Sequence, residues 1–255
     1  MVRGSGGRLE GKVAVVTGSG RGIGRAIALA LGSEGASLAL VARDADALRR
    51  VAGEARGLGA DAEAFPCDVT SEAEVEGLRK GVVERFGRVD IVVNNAGINI
   101  RKPISEFPTE EWRRVIDTNL VAPFLVSRAL LPHMRGRGYG RIINTTSTMS
   151  HVATANRTAY AASKAGLLGF TRALAVELAS EGITVNGISP GWFETELTKP
   201  IWGDPDSNQA LVSKIPLGRW GKVEDIGKLA AYLCTEEAGY ITGTDILIDG
   251  GYTTQ

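Results

Sequence analysis

Two hydrophobic periods alternate along the chain. Short runs of β-branched and aliphatic residues, typical of buried strands, are separated by longer stretches whose apolar residues recur every three to four positions, as on one face of a helix. The short runs predict strands at 13–17, 37–42, 62–65, 89–93, 141–145, 183–188 and 245–248. The longer stretches predict helices at 22–34, 45–58, 109–134, 158–180 and 223–233, with a further helix that begins after Ser71.

Local signals refine three parts of this pattern. Ser71 and Glu74 have the spacing of a capping box, in which the acid reaches back to the amide of the N-cap residue. Pro123 lies inside the predicted helix 109–134, where its missing N–H predicts a kink or a break. Residues 191–216 fit neither period and are rich in Trp, Pro, Gly and Asp. We therefore expect a substrate lid, or a small helical insert, near 192–216.

Strands that alternate with helices favour parallel pairing with right-handed crossovers. The sequence therefore predicts the α/β class, as a doubly wound, parallel, seven-stranded sheet flanked by helices on both faces, which is the Rossmann fold. The chain has no internal repeat and no linker. We expect a single domain over residues 12–255, preceded by an N-terminal tail of residues 1–11.

Composition excludes several functions. The chain has 255 residues, with 29 Lys and Arg against 29 Asp and Glu, and this balance disfavours a nucleic-acid partner, which normally selects a basic surface. No continuous apolar run approaches the ~20 residues of a membrane span. The two cysteines and two histidines lack the spacing of metal ligands. We expect a cytoplasmic protein that needs no metal and has no nucleic-acid or membrane partner.

Glycines join the first predicted strand to the first predicted helix. Residues 17–24 read Thr-Gly-Ser-Gly-Arg-Gly-Ile-Gly, and such glycines let the backbone turn tightly and approach an anion. The helix N-terminus behind them offers free amides and the positive end of the helix dipole. A glycine cluster alone is weak, because many strand–helix turns carry one for steric reasons. Its place after the first strand of a βαβ pattern favours a nucleotide site.

The residues after the second predicted strand indicate which dinucleotide would bind. Proteins that bind NAD usually place a carboxylate there for the ribose hydroxyls, whereas this chain has Ala42 followed by Arg43. Arg43 and Arg21 could instead clamp a 2′-phosphate between two guanidinium groups. We therefore expect NADP(H) to be preferred. NAD(H) remains possible, because Asp44 follows Arg43 and both arginines could be solvated surface charges.

A tyrosine and a lysine one helical turn apart form the candidate catalytic pair. Tyr160 and Lys164 share a helix face, and Ser147 ends the fifth predicted strand, at the sheet edge where doubly wound folds bind ligands. Carbonyl reduction needs a proton donor for the developing alkoxide, and a free phenol with a pKa near ~10 is a poor one. A nearby ammonium and a positive nicotinamide ring would lower that pKa, as general acid–base catalysis requires.

Taken together, the motifs resemble those of the short-chain dehydrogenase/reductase family, in the order and at the usual spacings of that family. They are TGxxxGIG at Thr17–Gly24, the adenine-site pair Asp68-Val69, NNAG at Asn94–Gly97, the helix residue Asn119, Ser147, YxxxK at Tyr160–Lys164, and Pro190-Gly191. The resemblance covers the chain from the glycine loop to the C-terminus. It implies an NAD(P)-dependent oxidoreductase that interconverts a secondary alcohol and a ketone by hydride transfer.

The family's roles carry over to the matching positions. Tyr160 would be the general acid/base, Ser147 would polarise the substrate oxygen, and Lys164 would bind the nicotinamide ribose and lower the tyrosine's pKa. Asn119 would hold a water that links the lysine to solvent, which completes the catalytic set. The cofactor contacts implied are Gly18, Ser19, Arg21, Gly22, Ile23, Gly24, Arg43, Asp68 (on the adenine amine), Val69, Asn94, Ala96, Gly97, Tyr160, Lys164, Pro190, Gly191, Phe193 and Thr195 (on the carboxamide).

Two substrate classes stay open. The chain is similar to gluconate 5-dehydrogenase-like enzymes around 94–98, 106–112, 124–127 and 193–196, which favours a sugar acid or polyol. It is also similar to 3-oxoacyl-(acyl-carrier-protein) reductases around 215–219 and 240–243, so a carrier-linked ketone or another carbonyl is the alternative. Arg101 could bind a substrate carboxylate bidentately, or it could be a surface or subunit-contact arginine.

Four further residues are candidates for the substrate pocket. Trp192 and Trp202 could cover a small polar substrate, and His151 and Asn156 could border it, although each also fits plain packing. A remote alternative is a nucleotide-binding scaffold without turnover, since a fold does not fix a function, but the complete catalytic set argues against it. The resemblance also implies a homotetramer, with interfaces near 115–131, 160–179 and 245–252.

Overall fold

A parallel sheet organises the computed structural model, which describes residues 7–196 and 198–254. Within these residues, seven strands follow the order β3-β2-β1-β4-β5-β6-β7, and every neighbouring pair is parallel. The strands are β1 (Val13–Thr17), β2 (Ser37–Ala42), β3 (Ala62–Pro66), β4 (Ile91–Asn94), β5 (Gly140–Thr145), β6 (Ile183–Pro190) and β7 (Asp245–Ile248). The central strands are buried along their whole length, as their continuous apolar runs require. The doubly wound sheet predicted from the alternating periods is confirmed.

Helices cover both faces of this sheet. They are α1 (Gly22–Ser33), α2 (Ala45–Gly57), α3 (Glu72–Phe86), α4 (Thr109–Ile116), α5 (Ala122–Leu130), α6 (Thr158–Leu178), α7 (Lys199–Trp202), α8 (Pro205–Val212) and α9 (Val223–Cys234). Helices α1, α2 and α9 pack in one core cluster with apolar side chains of the sheet. Helices α3, α5 and α6 pack in a second cluster on the other face.

The strand order reverses between β1 and β4, and this reversal locates a crevice. From β1 the chain proceeds outward to β2 and β3, and from β4 it proceeds in the opposite direction to β7. The loops that follow β1 and β4 therefore separate at the carboxyl edge of the sheet, which is where open α/β sheets bind ligands.

The predicted capping box before α3 is half correct. The Ser71 hydroxyl accepts a hydrogen bond from the Glu74 amide at 3.3 Å, as an N-cap residue should. The prediction that the Glu74 carboxylate accepts from the amide of the N-cap residue is wrong. Glu74 Oε2 instead accepts from the amide of Asp68 at 2.8 Å. Glu74 therefore fixes the chain that leaves β3 against the start of α3.

The predicted disturbance of helix 109–134 takes the form of a π turn. The turn, Asp117–Val121, separates α4 from α5, and a 3₁₀ turn at Leu131–His133 ends the stretch. Pro123 has no N–H, so the α-helical bond to the Asn119 carbonyl cannot form. The amide of Ala122 instead donates to the Asp117 carbonyl, five residues back. The helix bulges by one residue rather than breaking, and Asn119 lies in the bulge.

The same stretch, Thr109–His133, is the one candidate membrane span among the described residues, by length and composition alone. In the apolar window of this stretch, 44% of the residues are buried inside the protein. Helix α4 and the π turn lie against α6, and α5 lies against α3 and β4. Packing within the domain thus accounts for part of its hydrophobicity.

The packed part of the chain begins earlier than the predicted tail of residues 1–11 allows. Leu9 is fully buried in the core cluster that contains α1 and α2. Its amide donates to the Glu34 carbonyl at 2.7 Å, and the Arg8 side chain pairs with the Glu34 carboxylate. Residues from at least Leu9 therefore belong to the domain, because burying an apolar side chain ties it to the core.

The stretch 191–216 contains two short helices, α7 and α8. Its apolar side chains form a small separate cluster made of Trp192, Leu211, Ile215 and Trp220. The Trp192 ring meets the Trp220 ring edge-on, with the centroids 6.1 Å apart. The stretch is therefore a helical insert with its own core, and its action as a substrate lid stays a prediction.

Candidate active site

The loops after β1 and β4 are tied together at the carboxyl edge of the sheet by one hydroxyl. Thr17, the last residue of β1, donates from Oγ1 to the Val93 carbonyl at 3.1 Å. The same oxygen accepts from the amides of Asn95 at 2.9 Å and Ala96 at 3.1 Å. The start of the NNAG segment is thereby fixed beside the glycine loop.

The backbone of the glycine loop packs so closely at Gly18 and Gly24 that no side chain fits at either position. Gly18 and Gly22 have φ of +65° and +54°, in the left-handed region that glycine adopts without strain. A Cβ on Gly24, in the first turn of α1, would lie 2.3 Å from the Gly18 carbonyl oxygen. Helix α1 therefore begins directly behind the loop. No side chain caps its N-terminus and no acid lies in its first turn, so its amides suit an anionic group.

Asn95 fixes this loop and was missed among the predicted site residues. Its Nδ2 donates to the carbonyls of Thr17 at 3.0 Å and Gly18 at 3.3 Å. Its Oδ1 accepts from Thr145 Oγ1 at 3.4 Å, which connects the loop to the end of β5. The position within the NNAG motif is the only signal the sequence offers for this role.

Two of the predicted cofactor contacts direct their side chains away from the crevice. Asn94 is buried, and its Nδ2 donates to Asn144 Oδ1 at 2.8 Å and to Ser127 Oγ at 3.0 Å, inside the domain. The Ser19 hydroxyl is fully buried and accepts from the Val41 amide at 2.9 Å. These side chains hold β4, β5 and β2 in place, and only their backbones lie where a cofactor would bind.

Phe193 is a third predicted cofactor contact whose side chain lies inside the domain. Its ring is 4% exposed and belongs to the main core cluster. It occupies the space that a side chain at position 221 would need, since a Cβ on Gly221 would lie 2.3 Å from the ring. The segment that follows β6 is thereby anchored. Thr195 then lies over the glycine loop, with Cγ2 3.7 Å from the Cβ position of Gly22.

The other predicted contacts line the same edge. Ile23 is partly buried in the first turn of α1, and Val69 is buried after β3. Pro190 ends β6, and the amide of Gly191 donates to the Ile248 carbonyl at 2.9 Å. Asp68 Oδ1 accepts from the amide and the hydroxyl of Thr70, and these bonds lower the pKa of the Asp68 carboxyl.

Arginines surround the end of β2, while the nearby acid is engaged. Arg21 and Arg43 are exposed, and neither forms an ion pair with any residue that the structure describes. The Asp44 carboxylate caps α2 by accepting from the Ala47 amide at 3.0 Å, and this bond lowers the pKa of Asp44. The Asp44 carboxylate, which could have accepted hydrogen bonds from the ribose hydroxyls, is therefore already hydrogen-bonded within the protein.

Ser147 and Tyr160 meet at the carboxyl end of β5. The Ser147 hydroxyl is hydrogen-bonded to the Tyr160 phenol and also accepts from the Met149 amide at 3.1 Å. Burial raises the pKa of Tyr160, against the lowering effects of the Ser147 bond and of the positive charges of Arg157 and Arg101. Desolvation of the phenolate outweighs these lowering effects, and the expected lowering of this pKa by Lys164 together with a nicotinamide ring stays a prediction.

Lys164 lies beside the phenol as a buried ammonium. Its Nζ donates to the Thr145 carbonyl at 2.6 Å and lies 5.7 Å from the centre of the Tyr160 ring. Burial lowers the pKa of Lys164 to about 8, although the Asp245 carboxylate acts in the opposite direction. The lysine is thus held by a backbone carbonyl at the edge where Tyr160 and Ser147 meet.

Asn119 connects the loop after β4 to the catalytic helix α6. Its Oδ1 accepts from the Ile98 amide at 2.8 Å, and its Nδ2 donates to the Ile98 carbonyl and to Ser163 Oγ at 3.0 Å. A Cβ on Gly97 would lie 3.3 Å from Asn119 Oδ1 and 3.6 Å from Lys164 Nζ. The side-chain amide thus donates both of its protons and accepts one hydrogen bond, and the main-chain carbonyl, which loses its α-helical donor at Pro123, is a further acceptor for the expected water.

The candidate pocket residues differ in what they contact. His151 Nε2 lies 2.6 Å from Asp245 Oδ2, which places the imidazole on a buried carboxylate. Asn156 has φ of +64°, and its carbonyl accepts from the Lys102 amide at 3.1 Å. Trp202 Nε1 donates to the Thr195 carbonyl at 3.1 Å. The first two are exposed beside the catalytic group, while both tryptophans belong to the insert.

One edge of the sheet holds a glycine-rich loop at a helix N-terminus, two exposed guanidinium groups and a Ser–Tyr–Lys group. This arrangement is typical of a dinucleotide-dependent oxidoreductase. A family model described as enoyl-(acyl carrier protein) reductase matches residues 18–253. The 3-oxoacyl-(acyl-carrier-protein) reductase FabG of Pseudomonas aeruginosa is 40% identical over 244 residues, 95% of this chain and 98% of that protein. The D-beta-hydroxybutyrate dehydrogenase of Rhizobium meliloti is 39% identical over 256 residues, 96% of this chain and 99% of that protein.

A solved structure gives the same result. A gluconate 5-dehydrogenase from Burkholderia cenocepacia J2315, in complex with NADP and tartrate, superposes with a TM-score of 0.93 at 35% identity and covers 97% of both chains. The chain therefore belongs to the short-chain dehydrogenase/reductase family. It is an NAD(P)-dependent oxidoreductase that acts on a hydroxyl-bearing or keto carbon of a small molecule.

The packing of Gly24 generates a first prediction. Gly24→Ala should lower the free energy of unfolding by about 1–3 kcal/mol, because the new Cβ has no space. It should also weaken NADPH binding at least about tenfold, because α1 moves away from the loop. Urea unfolding and a fluorescence titration measure both. The control is Gly53→Ala in α2, whose Cβ meets nothing within 4 Å and which should gain about 1 kcal/mol. Equal behaviour of the two variants would contradict the close approach.

Lys164 generates a second prediction, on stability against pH. The folded-state pKa of about 8 lies below the ordinary value of 10.5, so the ammonium destabilises the fold below about pH 8. That cost disappears as the pH rises toward the ordinary value. The stability of Lys164→Met relative to wild type should therefore fall by about 2–3 kcal/mol between about pH 7 and about pH 10. Urea unfolding at both pH values tests this. A change no larger than that of the exposed Lys228→Met would contradict it.

Proposed function

We propose that the protein is an NADP(H)-dependent oxidoreductase that interconverts a secondary alcohol and a ketone, with Tyr160 as general acid/base, on a sugar acid or polyol. The observation that carries the proposal is the Tyr160 phenol, bonded to the Ser147 hydroxyl at the sheet edge with the Lys164 ammonium beside it. The glycine loop next to this group suits a dinucleotide, because its helix amides are free and side chains are excluded. A bound nicotinamide would deliver or accept the hydride.

The chain's own residues divide the proton chemistry. As a ketone is reduced, Tyr160 donates the phenolic proton to the developing alkoxide, while Ser147 donates a hydrogen bond to the same oxygen. Lys164 binds the ribose hydroxyls and, as an ammonium, stabilises the phenolate that remains. Asn119 orders the surroundings of Lys164 through Ile98 and Ser163. In alcohol oxidation the phenolate accepts the proton instead.

Preference for NADP(H) rests on the end of β2. Arg21 and Arg43 present two guanidinium groups that form no ion pair within the described part of the chain. Arginine binds phosphate well, because its planar guanidinium can contact two phosphate oxygens at once. The Asp44 carboxylate, which would repel a phosphate, is held as the cap of α2. The Burkholderia relative, solved with NADP, supports the same choice.

Two substrate classes have support. The gluconate 5-dehydrogenase neighbour, solved with the dicarboxylate tartrate, and the guanidinium groups of Arg101 and Arg157 near Tyr160 favour a sugar acid. The second candidate is a 3-oxoacyl thioester, because the Pseudomonas reductase is 40% identical over nearly the whole chain. We place the protein in the cytoplasm by analogy with these relatives.

We also propose a homotetramer. Each of the three surfaces expected to form interfaces exposes a large apolar side chain. Phe124 on α5 is 42% exposed, Val176 on α6 is 83% exposed, and Leu247 on β7 is 43% exposed. Apolar groups at matching positions of a symmetric assembly would bury one another. Size-exclusion chromatography with light scattering measures the mass directly.

The assay that tests the function follows the absorbance of reduced nicotinamide. D-Gluconate is offered with NADP⁺ or NAD⁺, and a β-ketoacyl thioester with NADPH or NADH. Oxidation of gluconate that prefers NADP⁺ supports the proposal, and activity on the thioester alone moves the protein to the second candidate. With the active pair, Tyr160→Phe should lose about 10²–10⁴ in kcat and still bind NADPH. Tyr240→Phe, at a fully exposed position, is the control, and activity retained in Tyr160→Phe would remove Tyr160 from its role.

Cofactor choice has its own variant. Removing both guanidinium groups, in Arg21→Ser with Arg43→Ser, should raise the KM for NADP⁺ roughly 10- to 100-fold, because charge-assisted bonds to the 2′-phosphate are lost. The KM for NAD⁺, which lacks that phosphate, should change little. Arg49→Ser, an exposed arginine of α2 that pairs with Asp46, is the matched control. A wild-type preference for NAD⁺, or an equal loss for both dinucleotides, would contradict the assignment.

A further inference from the structure

A buried arginine without a counter-charge lies beside the catalytic tyrosine. Arg157 immediately precedes α6, three residues before Tyr160, and only 9% of its surface is exposed. Its guanidinium carbon lies 5.1 Å from the centre of the Trp192 ring. Within residues 7–196 and 198–254, Arg157 has no ion pair and its side chain has no hydrogen bond. The polar end of the side chain therefore contacts the face of an aromatic ring.

The charges around Arg157 do not compensate it. Burial lowers the pKa of the guanidinium, and the positive charge of Arg101 lowers it further. The remaining groups that act on it are the phenols of Tyr160 and Tyr252, and no carboxylate acts on it among the described residues. Burying a charge is costly unless it is paired, and a cation–π contact returns only about 0.5–2 kcal/mol. A site of this kind favours a ligand that supplies the missing negative charge.

The surroundings hold both arginines on the substrate side. The loop that carries Arg101 is joined to the loop before α6, because the Lys102 amide donates to the Asn156 carbonyl at 3.1 Å. Trp192 is held edge-on by the rings of Trp220 and Tyr252, whose centroids lie 6.1 Å and 6.0 Å from its own. Its indole N–H is buried and has no partner among the described residues. The aromatic platform beneath Arg157 is therefore rigid and keeps a free donor.

We propose that Arg157 binds a carboxylate of the substrate, with Arg101 as a second cation at the mouth of the pocket. The inference rests on the proposed alcohol–ketone chemistry at Tyr160 and defines its substrate class as hydroxy acids and the corresponding keto acids. Arg157 is a specificity residue in this role, because a planar guanidinium can hold both carboxylate oxygens while Tyr160 acts on a hydroxyl-bearing carbon of the same molecule. A neutral polyol or a thioester brings no such charge to Arg157.

The experiment compares two ligands that differ only in the charge of one group, D-gluconate and its neutral amide, D-gluconamide. The NADP⁺-loaded protein is assayed for turnover and titrated by calorimetry with each. Arg157→Gln should raise the KM and the Kd for gluconate roughly 10- to 100-fold, while the Kd for gluconamide changes little; an effect on kcat through the Tyr160 pKa should be equal for the two ligands. Arg157→Lys, which keeps the charge without the planar fork, should recover part of the loss. Arg172→Gln, an exposed arginine of the same helix, is the control.

The outcomes separate this inference from the proposed function. Gluconate turnover whose preference over the amide survives in Arg157→Gln overturns the carboxylate site and leaves the proposed function standing. Gluconate binding that depends on Arg157 without turnover supports the site and overturns gluconate as the substrate. An equal loss for acid and amide identifies Arg157 as a merely structural residue. Absence of both gluconate turnover and gluconate binding in the wild type overturns both.

Discussion

The site depends on one close approach of backbone to backbone, between the first turn of α1 and the carbonyl of Gly18. Only glycine at positions 18 and 24 permits it, and Asn95 holds it by donating to the carbonyls of Thr17 and Gly18. From there, hydrogen bonds continue through the chain after β4 to Ile98, then through Asn119 to Ser163 on the catalytic helix. The phosphate-binding end and the proton-transferring end are therefore parts of one bonded frame, in which the position of one fixes that of the other.

The frame carries two buried cations whose stabilisation differs. The Lys164 ammonium donates to the Thr145 carbonyl and is stabilised by the charge of the Asp245 carboxylate. These two groups offset part of the cost of removing the ammonium from water. Among the described residues, Arg157 has the Trp192 ring, a second arginine and two phenols nearby, and no carboxylate acts on it. The positive charges of Arg157 and Arg101 favour the ionised form of the Tyr160 phenol, yet burial raises the pKa of Tyr160. The site is thus short of negative charge, and an anionic substrate or the phenolate itself would relieve that shortage.

The order of strands and helices could be predicted from the sequence because buried parallel strands consist of continuous apolar runs. The predicted bounds 37–42 and 245–248 agree with β2 and β7, and the order of strands and helices is confirmed. Side-chain direction was beyond such patterns. Three predicted cofactor contacts lie at the expected places in the chain, but strand register and long-range packing direct their side chains into the domain; they are Asn94, Ser19 and Phe193. The isolation of Arg157 depends on loops distant in sequence, so no local pattern could reveal it.

The π turn shows how a sequence defect becomes part of the site. A proline four residues after Asn119 removes the donor that an α-helix would supply to the Asn119 carbonyl, and the helix responds by widening at Asp117–Val121. The bulge places the Asn119 side chain where both Ile98 and Ser163 are within reach, although Asn119 itself is fully buried. The side-chain amide of Asn119 is hydrogen-bonded to Ile98 and Ser163, and the main-chain carbonyl of Asn119 lacks the α-helical donor that residue 123 would supply. Because a buried main-chain carbonyl needs a hydrogen-bond donor, we expect a water that donates to the main-chain carbonyl of Asn119, on the side of the residue away from its side-chain amide.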